Sequence, residues 1–477
     1  MSIKICILGA GPGGYVAAIR AAQLGADVTV IEKENPGGTC LNWGCIPSKI
    51  MKTTAELLER FKDAEQYGVH VDGAVSPDMT ALMRRKEKIL KTQIKGILGL
   101  LAHHKIRYIK GTGRIPGQGV AEVELPDGTS EKVAWDKLII STGTVPLNIP
   151  DFPFDHERII SSNDALCLDK VPSSMVIVGG GVIGCEFACI LSALGTMVTV
   201  VEALPRLLPL PSVDEECSTV LQREMKKRKI KFHVDKTVEK VDSSGDLLKV
   251  KVIPSPFATT LKEKDKEPIK IEAEKVLVCI GRKPNTKGLG FTDLGMDMDE
   301  KGWITVDDHM QTSVPGVYAI GDVLGPTHVM LAHVASHEGT LAAENALGAT
   351  RKMQYNAVPG AIFTMPEVSN VGLTETQAGE QDIDYRSDTV LFRTLGKAQV
   401  IGELAGMAKI VSDNKTGRIL GVHMIGPHAT DLIAEGTLAV QTGIDVSTLA
   451  DTIHAHPTLA EVMMEAAHKA CDKAIHG

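Results

Sequence analysis

Apolar positions along the chain fall into a pattern that occurs twice. Ile5 to Leu8 is a short apolar run that enters Gly9-Ala10-Gly11-Pro12-Gly13-Gly14, then an alanine-rich stretch with helical spacing, then a second apolar run, Val28 to Ile31, closed by Glu32. Met175 to Val178 likewise enters Gly179-Gly180-Gly181-Val182-Ile183-Gly184, a second helical stretch, and Val198 to Val201 closed by Glu202. In each copy the first glycine and the acidic residue are 23 positions apart. One such glycine turn is a weak signal; two in strand, turn, helix, strand context at one spacing predict two dinucleotide sites. Each half later offers another continuous apolar strand, Leu138 to Ser141 before Gly143 and Pro146, and Val276 to Ile280 before Gly281 and Pro284. Strands apolar on both faces suit a parallel sheet covered from both sides. The fold class this predicts is α/β, with two Rossmann-like dinucleotide-binding domains.

From about Ala349 the glycine-rich pattern stops. Strands such as Ala408 to Val411 and Ile419 to Met424, followed by helices from Asp431 and Thr458, predict a C-terminal α+β domain. The expected boundaries are 1–148 for the first nucleotide domain, 149–275 for the second, 276–348 for a return to the first, and 349–477 for the C-terminal domain. Lys86 to Leu101 has helical spacing with a basic outer face, which reads as a solvated helix, as does Lys226 to Lys229. Pro254 to Pro268 is charged and turn-rich, and reads as an exposed hairpin connection or insertion.

Composition narrows the function classes. The 477 residues are 43% hydrophobic and 23% charged, which excludes a disordered or collagen-like chain. A formal net charge of −8 argues against nucleic acid or an anionic membrane as partner. No apolar run approaches the ~18 residues of a membrane span, and the chain enters its first strand with no room for a signal peptide. A cytoplasmic protein is expected, or one of the mitochondrial matrix if a transit peptide has been removed. Nine scattered cysteines do not make a secreted disulfide framework, so any disulfide should be a working one.

In each glycine turn the first glycine permits the bend, the second lets phosphate approach the backbone, and the third packs helix on strand. Glu32 and Glu202 are placed to accept hydrogen bonds from ribose hydroxyls. A carboxylate there repels a 2′-phosphate by roughly 4 kcal/mol at ~4 Å and an effective dielectric of ~20, so NAD is expected over NADP. Arg206, four residues beyond, is a counter-argument that is as easily a surface residue. Cys40 and Cys45 lie four residues apart in Gly37-Gly38-Thr39-Cys40-Leu41-Asn42-Trp43-Gly44-Cys45-Ile46-Pro47-Ser48-Lys49. A helix starting near Cys45 would stabilise a thiolate, and Lys49 adds positive charge one turn on. Half a metal site or two buried thiols are the alternatives. No second loop-borne pair completes a four-cysteine site, since Cys185 and Cys189 read as small core residues of a helix, so no metal is assigned. With two dinucleotide sites and a dithiol, one site should hold FAD, the carrier that can exchange electrons with both sulfur and a nicotinamide. Near the C-terminus, Pro457 reads as the first residue of a helix, with His456 at its N-cap and Glu461 about a turn on.

Residues 37–49 resemble, almost residue for residue, the redox-disulfide signature of the pyridine nucleotide-disulfide oxidoreductases, and the likeness runs from the Gly9 turn to the C-terminus. The resemblance implies that the N-terminal fingerprint binds FAD, the central one binds NAD, and the C-terminal domain is a dimerisation domain. For FAD it implies contacts from Gly9, Gly11, Pro12, Gly13, Gly14, Glu32, Lys33, Thr39, Lys49, Gly113, Ser141, Thr142 and Gly143. Asp322 ends a segment, Thr312 to Asp322, that resembles the family's second FAD motif, and Met330, Leu331, Ala332 and His333 match the segment that follows along the flavin. For NAD it implies Gly179, Gly181, Val182, Ile183, Gly184, Glu186, Glu202, Val238 and Gly281.

The same resemblance implies the chemistry: oxidation of a protein-bound dihydrolipoyl group with NAD+, through a Cys40–Cys45 disulfide and FAD. Lys49, paired with Glu186, lies by the flavin. His456 is the base and Glu461 its orienter, reaching the site from the other subunit of a homodimer; His454 keeps a structural reading. The implied partner is a lipoyl-bearing protein of a 2-oxo acid dehydrogenase or glycine-cleavage system, since no lipoyl domain precedes the first strand. The alternatives are another disulfide reductase of the family, or a non-catalytic flavin-containing redox sensor or assembly subunit. Glu202 argues against an NADPH-dependent glutathione-type enzyme, and a tail offering only Cys471 argues against enzymes with a second C-terminal redox pair. Trp43 is bulkier than the family pattern suggests.

Overall fold

The computed structural model describes residues 2–259 and 263–476. They fall into two compact units. The first comprises Met1–Ile50, Asp78–Leu147 and Gly281–Gln354. Its centre is a parallel sheet in the order Val317–Ala319, Lys137–Ile140, Lys4–Leu8, Asp27–Glu32, Arg107–Lys110. Ile5, Ile7, Leu138, Ile139 and Ile140 are at most 1% exposed, the burial on both faces that the unbroken apolar runs anticipate. The helix Pro12–Gln23 packs against the helix Ala332–Ala346, and glycines set how closely. A Cβ on Gly13 would lie 2.9 Å from the Ala335 carbonyl oxygen, and one on Gly339 would collide with that of Gly13. An antiparallel meander, Thr112–Gly117, Val120–Glu124 and Ser130–Ala134, and a two-stranded ladder of Thr144–Pro146 with Arg282–Pro284 complete the sheets.

The second unit comprises Met51–Pro77, Asn148–Ile280 and Tyr355–Gly477. Its parallel sheet runs Lys231–His233, Met197–Val201, Ser174–Val178, Lys275–Val278, Ile159–Ile160. The first four strands have the same order as their counterparts in the first unit, so the sequence repeat is a structural repeat. The fifth differs: it comes from late in the chain in one unit and from before the glycine turn in the other. Strand Leu248–Pro254 pairs antiparallel with Ile269–Ala273, so Pro254 to Pro268 is a hairpin connection, of which residues 260–262 lie outside the described residues. The C-terminal part is an antiparallel sheet, Gly360–Ile362, Glu367–Gly372, Ile419–Gly426, Met407–Asp413, Tyr385–Leu391, whose core includes Phe392, Met424, Ile433, Val462 and Met463. The expected helix start at Asp431 falls inside Ala429–Thr442. The start expected at Pro457 is corrected: the helix is Glu461–Ala470. Residues 457–460 stay a turn because Thr458 turns inward, its hydroxyl donating to the Ala455 carbonyl (2.7 Å) and its amide to Glu461 Oε2 (2.9 Å).

Candidate active site: a dithiol on a glycine turn

The two acidic residues of the repeat do the same structural work. Glu32 accepts the Ala10 amide (2.7 Å) on one oxygen and the Glu34 amide (2.8 Å) on the other. Glu202 accepts the Gly180 amide (2.5 Å) and the Leu204 amide (2.8 Å) in the equivalent way. Each carboxylate therefore ties the residue after the first glycine to the chain leaving the second strand, and each oxygen keeps a lone pair for a ribose hydroxyl. Burial pushes the Glu32 carboxyl above its ordinary value, against the pull of the two amides.

The third glycines have no room for a side chain: a Cβ at Gly14 or Gly184 would collide with the carbonyl oxygen of Gly9 or Gly179. The glycines expected to meet phosphate behave oppositely. A Cβ on Gly181 would meet nothing within 4 Å, and the nearest atom to one on Gly11 is 3.9 Å away; Gly143 and Gly281, expected to contact FAD and NAD, are also open. Open backbone at a helix start is what a pyrophosphate requires.

The redox segment is fastened to the first of these turns. The Gly37 amide donates to the Ala10 carbonyl (2.7 Å), and a Cβ on Gly38 would lie 2.6 Å from Gly11 Cα. Gly37 and Gly38 both have positive φ (97° and 54°), which lets the chain turn this tightly. Cys40 and Thr39 then lie in the short helix Gly38–Trp43, and Cys45 is the first residue of the helix Cys45–Lys62, the start the sequence anticipates for a stabilised thiolate. Both cysteines are thiols. The Cys40 thiol is hydrogen-bonded with Cys45, and that bond, with burial and the repulsion of a Cys45 thiolate, pushes Cys40 far above the ordinary thiol range despite the Lys49 charge. Asn42 Nδ2 reaches the carbonyls of Asn35, Pro36 and Gly38 (3.3, 3.3 and 3.0 Å), and the exposed Trp43 indole donates to Glu34 (2.9 Å). Its bulk thus braces the loop stem.

The other residues expected to touch FAD gather in the first unit. Ser141 Oγ donates to the Gly9 carbonyl (2.8 Å), and Ser336 at the start of the helix Ala332–Ala346 reaches the Pro12 carbonyl (3.3 Å), which brings Met330 to His333 toward the glycine turn. Gly113 is a packing glycine, since a Cβ there would lie 2.5 Å from Leu8 Cδ1. Lys33 is exposed. Among the described residues the buried Thr142 hydroxyl has no hydrogen-bond partner, and burial holds the Asp322 carboxyl above its ordinary value, opposed by Arg282 and Thr144. Such groups, beside an open glycine cradle, fit a polar cofactor such as FAD. Sequence reasoning missed the support of Asp322: Thr144 Oγ1 donates to it (3.3 Å) while accepting from Arg282 Nε (2.6 Å). The 144–146 and 282–284 ladder brings these residues together, and nothing in the sequence announces it.

In the second unit, Val182, Ile183, Gly184 and Glu186 lie in the helix Val182–Leu194, where Cys185 and Cys189 are fully buried, as read. Glu186 accepts the Phe363 amide (2.8 Å). The Val238 side chain packs in the core with Val176, Val178 and Val201. His456 Nδ1 lies 2.8 Å from Glu461 Oε1, leaving the ring 75% exposed on a largely covered carboxylate. Despite burial, the Thr458 amide and His456 hold Glu461 below its ordinary value. His454 is packed away, with Nε2 2.8 Å from Glu435 and Nδ1 2.9 Å from the Thr452 carbonyl, in keeping with a structural role.

Comparison with known proteins agrees with this architecture. Residues 3–339 match the model of the pyridine nucleotide-disulphide oxidoreductase family, and residues 358–467 match that family's dimerisation domain. A dihydrolipoyl dehydrogenase of Chlamydia trachomatis is 40% identical over 472 residues, 98% of this chain and 97% of that protein. A mitochondrial dihydrolipoyl dehydrogenase of Arabidopsis thaliana is 39% identical over 475 residues, 99% of this chain and 91% of that protein. Among solved structures, LpdA of Mycobacterium tuberculosis superposes with a TM-score of 0.88 at 28% identity, covering 98% of this chain and 99% of that one. The flavoprotein disulfide reductase RclA of Escherichia coli gives 0.83 at 25%, covering 97% and 99%. The duplicated glycine turns, the dithiol on the first of them and these full-length matches make the chain a member of the pyridine nucleotide-disulphide oxidoreductase family.

Proposed function

We propose that the chain is an FAD-containing, NAD-dependent dihydrolipoyl dehydrogenase. It acts as a homodimer on a dihydrolipoyl group carried by a partner subunit of a 2-oxo acid dehydrogenase or glycine-cleavage system, in the cytoplasm or the mitochondrial matrix. The observation that carries the reading is the Cys40–Cys45 pair, hydrogen-bonded together and seated on the first glycine turn. Full-length relatives named dihydrolipoyl dehydrogenase support the choice of substrate.

In the proposed homodimer the thiol chemistry is shared between two copies of this chain, one giving the cysteine pair and the other the histidine. His456, its Nδ1 oriented by Glu461 of the same subunit, takes the proton of one substrate thiol at Nε2. The resulting thiolate attacks Cys40 Sγ of the Cys40–Cys45 disulfide; the S–S bond breaks and Cys45 leaves as a thiolate at its helix start. The second substrate thiol attacks the substrate sulfur of the mixed disulfide, its proton goes to Cys40, and oxidised lipoyl departs. Two electrons now reside on the cysteine pair. When bound, FAD supplies the acceptor that relays them as hydride to NAD+. Lys49, half-buried and close enough to Cys40 to favour its thiolate, contributes positive charge for the reduced state. Among the described residues no helix is long and apolar enough to cross a membrane, which suits a partner that is a protein complex.

Cys45→Ser should abolish dihydrolipoamide turnover with NAD+ while the protein retains bound flavin; full retained activity would overturn the assignment. Steady-state rates with dihydrolipoamide and NAD+ against glutathione disulfide and NADPH separate this activity from that of other disulfide reductases.

A further inference from the structure

Arg206 follows the second ribose-binding glutamate by four residues, where a cation invites the reading of a 2′-phosphate ligand. Its guanidinium is already committed. Nη1 donates to the Leu208 carbonyl (2.7 Å), and Nη2 donates to the carbonyls of Leu210 (3.0 Å) and Val213 (2.9 Å). These three carbonyls line the inside of the loop 204–213, which leaves the strand Met197–Val201 and enters the helix Glu215–Lys227. Leu208 sits at positive φ (48°), so the loop needs an internal fastening to hold that turn. Burial lowers the guanidinium's proton affinity, while Glu215 and Asp214 oppose this.

The loop in turn shapes the nucleotide turn. The Leu208 amide donates to the Gly180 carbonyl (2.8 Å), and a Cβ on Gly180 would lie 2.6 Å from Leu207 Cδ2. The Leu204 amide occupies one oxygen of Glu202. Ser218 Oγ donates to the Leu207 carbonyl (2.5 Å) and Gln222 accepts the Leu207 amide (3.3 Å), fixing the loop to the following helix. The start of the loop therefore touches Glu202 and its middle touches Gly180 of the nucleotide turn, while one side chain ties that middle to the loop's end.

We propose that Arg206 is a positioning residue for the pyridine nucleotide: by clamping the carbonyls of Leu208, Leu210 and Val213 it holds the 204–213 loop against Gly180 and Glu202, and so sets affinity for NAD+ without touching a phosphate. The inference rests on the proposed NAD-dependent activity. Lysine cannot reproduce the fork, because a single ammonium cannot span three carbonyls in the guanidinium's plane. Glutamine offers one amide and no charge. Both Arg206→Lys and Arg206→Gln should therefore raise KM for NAD+ about tenfold, equivalent to ~1.4 kcal/mol. The rate of flavin reduction by dihydrolipoamide alone, followed in stopped flow, should stay at the parental value, and activity with NADP+ should not fall relative to NAD+.

A phosphate ligand would behave differently: Arg206→Gln would lose NADP+ activity selectively and leave KM for NAD+ unchanged, and that result overturns the proposal. Unchanged KM for NAD+ in both variants also overturns it, whereas equal losses in both half-reactions would mark a general loss of structure and refute a nucleotide-specific role. Failure of the parental protein to reduce its flavin with dihydrolipoamide would refute the substrate assignment instead, and NAD+ affinity, read by fluorescence titration, would still test the clamp.

Discussion

The side chain of Lys409 is only 3% exposed and is surrounded by carboxylates. Its Nζ lies 3.1 and 3.2 Å from the two Asp214 oxygens, 3.1 Å from Glu216 and 3.0 Å from Glu375. Asp214 is also the N-cap of the helix Glu215–Lys227, accepting the Glu216 amide at 2.9 Å. Burial alone would depress the ammonium's proton affinity, but the carboxylates win and raise it. Lys409→Met removes the cation and strands the negative charge. Glu216 and Glu375 are 58% and 33% exposed and can turn to water, whereas Asp214 is 5% exposed and cannot. Breaking a buried pair costs about 3–5 kcal/mol, and with two of three partners able to relax, the low end, ~3 kcal/mol, is expected. For a unit of this size that is a fall in Tm of about 5 °C. Calorimetry of the flavin-loaded protein reads it directly. Adding Asp214→Asn should recover at least ~1 kcal/mol, because asparagine caps a helix as well as aspartate does and needs no counter-charge. Because the lysine's folded value is raised above its ordinary 10.5, the parental advantage is fully present below that pH and is lost as pH rises through the folded value. The difference in Tm should therefore be constant from about pH 6 to pH 9. A Lys409→Met protein melting within about 1 °C of the parent, or no recovery in the double variant, would refute the reasoning.

Three further variants test the geometry. Lys52 lies 2.6 Å from Glu367 and 2.7 Å from Glu56, and despite burial Lys52 and Thr430 hold the Glu367 carboxyl below its ordinary value of 4.5. The stabilisation is thus present above about pH 4.5 and lost as pH falls through the depressed folded value, so Lys52→Met should make unfolding less steep with acid; an unchanged acid limb in pH-dependent Tm counts against the pair. Gly184→Ala should fail to give a stable protein, because its Cβ collides with the Gly179 carbonyl, whereas Gly181→Ala should melt like the parent yet bind NAD+ at least about tenfold more weakly, its methyl standing where phosphate approaches. Normal NAD+ affinity in Gly181→Ala would show that phosphate does not approach there.

Much of the candidate site was legible in the sequence because its chemistry is local. The glycine turns, Glu32 and Glu202, and the cysteine pair each act within a few residues of one strand end, so spacing encodes their geometry. The helix start at Cys45 was readable for the same reason. The turn at 457–460 was not, because proline at a helix start and proline in a tight turn look alike until the Thr458 contacts are known. The sequence leaves Arg206 open between a phosphate ligand and a surface residue because its partners are backbone carbonyls, which every sequence has and none displays.

What the sequence determined by itself was the duplicated α/β plan, the two dinucleotide turns and the dithiol, since apolar period, glycine spacing and paired cysteines are properties of short stretches of chain. Only the tertiary structure decided that the redox loop stands on the first glycine turn through Gly11 and Gly38, that Thr144 and Arg282 serve Asp322, and that Lys409 and Asp214, far apart in the chain, share one buried charge cluster. Such pairings depend on which segments the sheets bring side by side, and the energy of a contact is set by the neighbours that exclude water from it, information that no single stretch of sequence contains.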